Sequence, residues 1–215
     1  MGVALLKAEG ISSLLPVSGY EIFKILSTAV FDLDTRNGSK KRKGRVRSSF
    51  TENELRNFIK TRALPTTFQY ELRVAGDIPC PIQTSQRRID YVWLKLDAQK
   101  PTNLTDVPAT CELKGPARPT VWEGNQNWYD KPGKREPKGL KPDICKQRAR
   151  SKMSPSTEHY VFWVLERPDR SQEVAVALSR LCNRLSQDVP QTRLIEYARQ
   201  HLSGLWLFYF GVTPE

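Results

Sequence analysis

Residues 109–116 read ATCELKGP. The stretch begins as a strand, and inside it a carboxylate and an ammonium, Glu112 and Lys114, are separated only by Leu113. Side chains alternate along a strand, so Glu112 and Lys114 share one face and Leu113 takes the other. Such a pair is either an exposed i, i+2 ion pair, worth little, or the working edge of a catalytic site. The segments around it decide between the two.

Upstream, TFQYELRVA (67–75) alternates in polarity and is bounded by Pro65 and Gly76, the pattern of a half-buried strand. RRIDYVWLKL (87–96) is β-branched and aromatic, a second strand. Between the second strand and ATCELKG, DAQKPTNLTDVP reads as a long hairpin loop. A helix precedes the three strands. It opens at Thr51, with Glu54 three residues on as a capping box, carries Leu55, Phe58 and Ile59 as its buried stripe, and stops before Pro65. Another follows them, with Asp143 as N-cap of DICKQRARSKM, Cys145, Ala149 and Met153 on one side, and Lys146 and Arg150 on another. EHYVFWVLE (158–166) is the next strand.

The ends of the chain add an amphipathic helix at 18–31, a long helix from Gln172 to Leu185, and a shorter helix after Pro190. A final apolar run, GLWLFYFGV (204–212), suits a strand buried on both faces. The order α, α, β, β, β, α, β, α, α, β predicts an α/β fold with helices around a mixed central sheet. Residues 1–48 form an N-terminal helix and basic arm, and residues 49–215 the α/β domain.

The 215 residues suffice for a proper core. No apolar run reaches the length of a membrane span, and the N-terminus lacks the basic start and long apolar region of a signal peptide. Four cysteines, all far apart, with two histidines, supply a zinc site poorly and suit reduced thiols in an intracellular protein. Lysine plus arginine number 34 against 23 acids, a net charge of +11. That excess suits a polyanion. It is concentrated in residues 36–48, with seven basic residues and no acid, and in 113–152, with eleven basic residues and four acids. The first run, containing Lys40, Lys41, Arg42 and Lys43, reads as a mobile surface loop or arm, a disordered linker, or a nuclear localisation signal. Residues 115–142 show no period, and their Trp122 and Trp128 either stack on bases or anchor the loop.

The three central strands each carry an acid: Glu71, Asp90 and Glu112. Ionised groups in apolar strands are costly unless paired, hydrogen-bonded or metal-bound. Neighbouring strands would bring these acids together, and carboxylates so gathered stay ionised only beside a cation. An all-oxygen site selects Mg²⁺, with Mn²⁺ as its substitute. Lys114 would lie beside a metal-bound water, to orient it or stabilise developing charge.

RRIDYVWL followed by ATCELKG resembles the PD-(D/E)XK nuclease superfamily, the restriction-endonuclease-like fold, with Asp90, Glu112 and Lys114 in the motif positions. Ile89 stands where the motif has proline. The resemblance implies an αβββαβ core over residues 51–166, and a further acid upstream of Asp90 in the metal shell: Glu71, or alternatively Glu54. It also implies a DNA-facing helix, on which Lys146, Gln147 and Arg150 are the contact residues. The expectation is a Mg²⁺-dependent nuclease acting on DNA, most simply an endonuclease, with the arm around Lys40–Arg47, and Lys40, Lys41, Arg42 and Lys43 in particular, tracking phosphates. Cutting both strands of a duplex needs two sites and suits a homodimer. The setting would be cytoplasmic and nucleoid-associated in a bacterium, nuclear in a eukaryote. The alternatives are a non-catalytic nucleic-acid-binding module and a scaffold subunit of a larger nucleoprotein complex.

Overall fold

The computed structural model describes residues 17–37, 40–42, 45–47, 50–61, 70–74, 89–95, 101, 103–117, 139–165, 183–189, 192–199 and 205–212. Eight strands and three long helices are defined among them: α1 (Val17–Asn37), β1 (Lys40–Arg42), β2 (Arg45–Arg47), α2 (Glu52–Thr61), β3 (Tyr70–Val74), β4 (Tyr91–Lys95), β5 (Ala109–Ala117), α3 (Leu140–Met153), β6 (Glu158–Leu165), β7 (Thr192–Arg199) and β8 (Trp206–Val212). Six strands form one sheet in the order β3-β4-β5-β6-β8-β7, and β1 and β2 form a separate pair. Within the large sheet β5 and β6 run parallel, while the other neighbours are antiparallel. The sheet is therefore mixed, and α3 is the crossover that a parallel pair requires.

Alternation along the strands divides the core between two faces. Tyr91 and Trp93 of β4, Cys111 and Leu113 of β5, Tyr160, Phe162 and Val164 of β6, and Leu207 and Tyr209 of β8 share one cluster with α1 and α2. α1 contributes Ile22, Phe23, Ile25, Leu26, Ala29, Val30 and Leu33, a stripe at helical spacing that is almost wholly buried. Phe23 lies 5.9 Å, ring centre to ring centre, from Phe162 and 5.4 Å from Tyr209. The alternate residues Val92 and Leu94, with Ile89 from before the strand, pack with Leu104 and Val107 on the other face, where α3 also lies, joined to Thr110 and Glu112.

The capping box at the start of α2 forms as its sequence specifies: Glu54 N–H donates to Thr51 Oγ1 at 3.2 Å, and Thr51 N–H to Glu54 Oε2 at 2.6 Å. The loop between β4 and β5 holds a short 3₁₀ turn, Leu104–Asp106. β8 lies between β6 and β7 and buries Tyr209 and Phe210 on its opposite faces.

Three expectations need correction. The segment after Pro190 is the strand β7, not a helix: it pairs antiparallel along the free side of β8, with an irregularity between Leu194 and Glu196. Pairing with an apolar strand outweighs a weak local preference. The basic run is not a featureless arm, since Lys40 pairs with Arg47, Lys41 with Val46 and Arg42 with Arg45. α3 begins three residues before Asp143, with Gly139 as N-cap at φ 131°. Its inward face is Leu140, Asp143, Ile144, Gln147, Arg150 and Ser151, whereas Cys145 is exposed and Met153 is 58% exposed. The helix turns a polar stripe inward because the sheet beneath it presents Thr110, Glu112 and His159.

Residues 183–188 are helical. The rest of the helix expected from Gln172, the loop at 118–138 with Trp122 and Trp128, and Lys43, Cys80 and Cys182 lie outside the described residues. No described helix is long and apolar enough to cross a membrane.

Gly19 marks where α1 meets the sheet. A Cβ there would lie 2.7 Å from Tyr160 Cζ, and that ring is stacked on Tyr209 at 4.9 Å while its hydroxyl donates to Glu158 at 2.9 Å. The ring has little room to retreat. Gly19→Ala is expected to lower unfolding stability by about 1–3 kcal/mol, read as a shift of the urea midpoint.

Candidate active site

The site grows from the pairing of β4 and β5. Tyr91 is opposite Cys111, so Asp90, at the bend just before β4, comes opposite Glu112. Opposed residues of an antiparallel pair project on the same face. Asp90 is fixed by two contacts: its Oδ2 accepts the Leu113 N–H at 2.9 Å, and its Oδ1 pairs with Arg56 Nη2 at 2.8 Å. Arg56 comes from α2 and also meets Glu52 Oε1 at 3.0 Å. Glu52 Oε2 in turn accepts the Gly115 N–H at 3.1 Å. α2 is thereby tied to both sides of the Glu112–Lys114 segment. Gly115 has φ +135°, and a Cβ there would lie 2.6 Å from the Val164 carbonyl oxygen, so glycine is required at this point.

Glu112 is buried and pairs with Arg150 of α3. Burial and the neighbouring Asp90 charge push its carboxyl up to about 8, against the opposing pull of Arg150. Arg150 Nη1 also donates to Gln147 Oε1 at 3.0 Å, and Gln147 Nε2 donates to the Tyr160 carbonyl at 2.6 Å. Thr110 Oγ1 lies 3.2 Å from Gln147 Oε1 and 2.8 Å from His159 Nδ1, its one proton serving either. A continuous buried polar chain therefore runs from Glu112 through Arg150, Gln147 and Thr110 to His159. Burial lowers the His159 pKa to about 4, and Arg150 adds to the shift against a hydrogen bond to Ser154, so the ring is neutral at pH 7.

Lys114 follows Glu112 on the same face and reaches Asp143 Oδ2 at 3.2 Å. Asp143 Oδ1 accepts from Lys146 Nζ, also at 3.2 Å. Burial opposes the Lys114 charge, but Asp143, Glu52 and Asp90 outweigh it and raise the pKa. Lys114 is therefore an ammonium at neutral pH. It can orient an oxygen or stabilise negative charge, but it does not accept a proton.

Asp90, Glu112 and Lys114 are thus brought together. Glu71 is not among them. Its backbone partner is Leu94, four residues along β4 from Asp90, or roughly 13 Å at strand rise. Glu54 is committed to the capping box. Gln147 and Arg150, expected on a DNA-facing side of α3, are buried and turned to the sheet; of the three, Lys146 alone is partly exposed. Lys40, Lys41 and Arg42 lie in β1.

The site residues not read from sequence are Glu52, Arg56, Thr110 and His159, while Asp143 was expected only as an N-cap and Gln147 only as a DNA contact. The i, i+4 spacing of Glu52 and Arg56 was available as a signal, as was the presence of Thr110 and His159 within apolar strands.

No three acidic, histidine or cysteine side chains group as a metal cage among the described residues. Magnesium, however, usually takes one or two carboxylates and completes its shell with water and phosphate oxygens. Asp90 and Glu112 meet that requirement in donor type and number. The β4–β5 register places the two acids opposite one another, where a cation would relieve their repulsion.

Two outcomes follow from this geometry. Folding holds His159 below its ordinary pKa of 6.5, so its stabilising share is intact above pH 6.5 and is lost as pH falls toward 4. The loss is on the order of 3 kcal/mol. Denaturation midpoints measured across this range should show a shallower acid limb in His159→Gln than in the wild type. Arg150→Met leaves Glu112 buried without its counter-charge and should cost about 3–5 kcal/mol, while Glu112→Leu in the same chain should recover most of that loss.

Compared with protein-family models, curated proteins and solved structures, the chain matches none.

Proposed function

We propose that this protein is a Mg²⁺-dependent nuclease that hydrolyses phosphodiester bonds in DNA, acting as an endonuclease on a restriction-endonuclease-like αβββαβ core. The observation that carries the reading is the opposition of Asp90 and Glu112 across β4 and β5, with Lys114 one step further on the same face. The order α2-β3-β4-β5-α3-β6 supports it, as does the resemblance of IDYVWL and CELKG to the PD-(D/E)XK pattern.

In this reading Asp90 and Glu112 hold the metal, for which Mn²⁺ can substitute. Bound there, a divalent cation acidifies water and polarises a phosphoryl oxygen. Lys114, kept cationic by Asp143, orients the attacking oxygen and stabilises charge building on the phosphate. Glu52 and Arg56 position Asp90, and Gln147 positions Arg150 beside Glu112. Two copies would be needed to cut both strands, and the setting would be the nucleoid or nucleus.

One observation favours a second reading. Asp90 and Glu112 each have a guanidinium partner already, as in a structural ion-pair network of a non-catalytic nucleic-acid-binding module.

Cleavage assays separate the two. Plasmid, single-stranded DNA and RNA are incubated with the protein in Mg²⁺, Mn²⁺ or EDTA. The nuclease reading expects metal-dependent cleavage of DNA. Asp90→Asn, Glu112→Gln and Lys114→Ala should each lower it at least ~100-fold, with binding retained. Binding to DNA without cleavage of any substrate establishes the second reading instead.

A further inference from the structure

The β1–β2 pair stands apart from the six-stranded sheet. Its register places Lys40 opposite Arg47 and Arg42 opposite Arg45. Opposed residues share a face, and so do residues two apart on one strand. Lys40, Arg42, Arg45 and Arg47 therefore all fall on one face of the ribbon, and Lys41 and Val46 fall on the other. The backbone positions of these four basic residues span about 5 by 7 Å. Like charges directly opposite one another destabilise a strand pair, and an isolated two-stranded ribbon is marginal at best. A sequence that loads one face of such an element with cations gains stability only when a polyanion covers that face.

The connection to the site limits where that polyanion lies. Arg47 is five residues from Glu52, a span of at most about 18 Å. Glu52 bonds to Gly115 and, through Arg56, to Asp90. The ribbon is thus tethered within about one turn of B-form duplex from the paired acids. A two-stranded ribbon fits the ~12 Å major groove of B-DNA, whereas the major groove of A-form RNA is too deep and narrow.

We infer that the β1–β2 hairpin is a DNA-binding ribbon, whose Lys40, Arg42, Arg45 and Arg47 face meets the phosphates bordering the major groove of duplex DNA and holds the duplex beside the Asp90–Glu112 site. The inference deepens the nuclease reading by naming the form of DNA and the element that grips it. It rests on that reading for the role of the site alone.

The test is binding by the full chain in EDTA, followed by fluorescence anisotropy on a short DNA duplex, a duplex RNA and a single strand. Salt is varied from about 50 to 200 mM. Substituting Gln at Lys40, Arg42, Arg45 and Arg47 together should reduce the slope of log affinity against log salt by roughly three to four on duplex DNA. Gln at Lys24, Lys60, Lys95 and Lys152, all exposed, removes the same charge elsewhere and should reduce the slope by less than about one. Arg45→Gln and Arg47→Gln singly, each expected to lower it by about one, carry the test if the fourfold variant does not fold.

Equal reductions in the ribbon and control variants, or no reduction in the ribbon variant, overturn the inference. A ribbon-dependent slope on RNA duplex or single strand but not on DNA duplex overturns it too. Cleavage is scored separately. Intact metal-dependent cleavage without ribbon dependence removes the ribbon and leaves the nuclease. Ribbon dependence without cleavage of any substrate does the reverse.

Discussion

The arrangement of the site depends on the buried Glu112–Arg150 pair between the central strand β5 and the crossover helix α3. Removing two charges from water costs several kcal/mol per ion, and their attraction offsets this only when further hydrogen bonds complete both groups. Gln147 supplies one such bond to Arg150, and is itself held by the Tyr160 carbonyl. A chain selected for stability alone would do as well with leucine and methionine here. The Glu112–Arg150 pair instead maintains a carboxyl group on the sheet, opposite Asp90, at the cost of turning a polar stripe of α3 inward. That stripe accounts for the absence of an ordinary apolar face on the helix.

A second constraint comes from the sheet. β4 and β5 are antiparallel, whereas β5 and β6 are parallel. β5 is thus the strand at which the chain changes from hairpin connection to helical crossover. α2 and α3 approach it from opposite sides, and each delivers one guanidinium, Arg56 to Asp90 and Arg150 to Glu112. Gly115 lies at the irregularity that ends this segment within β5, and its N–H donates to Glu52. The acids are consequently held by backbone N–H groups, helices and sheet register together, and little of their geometry depends on loops.

Strand periodicity made much of this legible. Alternation in ATCELKG placed Leu113 in the core with α1 and α2, and Glu112 and Lys114 on the α3 side. The run of β4 put Asp90 within reach of Glu112. The register between β3 and β4 was not legible, because nothing in TFQYELRVA fixes its offset against a strand separated from it by a long connector; that offset removes Glu71. β7 was misread because TRLIEYAR serves either period, and the need of β8 for a second partner decides it. The inward face of α3 was hidden for a different reason: helical stripes are recognised by apolar residues, and this one is Asp143, Gln147 and Arg150 as much as Leu140 and Ile144.

Charge balance connects the site to the rest of the chain. The acids Glu52, Asp90, Glu112 and Asp143 meet the cations Arg56, Lys114, Lys146 and Arg150, so acidic and basic residues are equal in number within the cluster. The formal excess of +11 is therefore carried by residues outside it. A polyanion, if the proposed reading holds, would be attracted by residues outside the cluster, among which the β1–β2 ribbon carries five basic residues in six strand positions. In the proposed nuclease the two tasks would be separate: long-range attraction would fall to residues outside the cluster, and the cluster would position a phosphate against groups held by hydrogen bonds rather than by net charge.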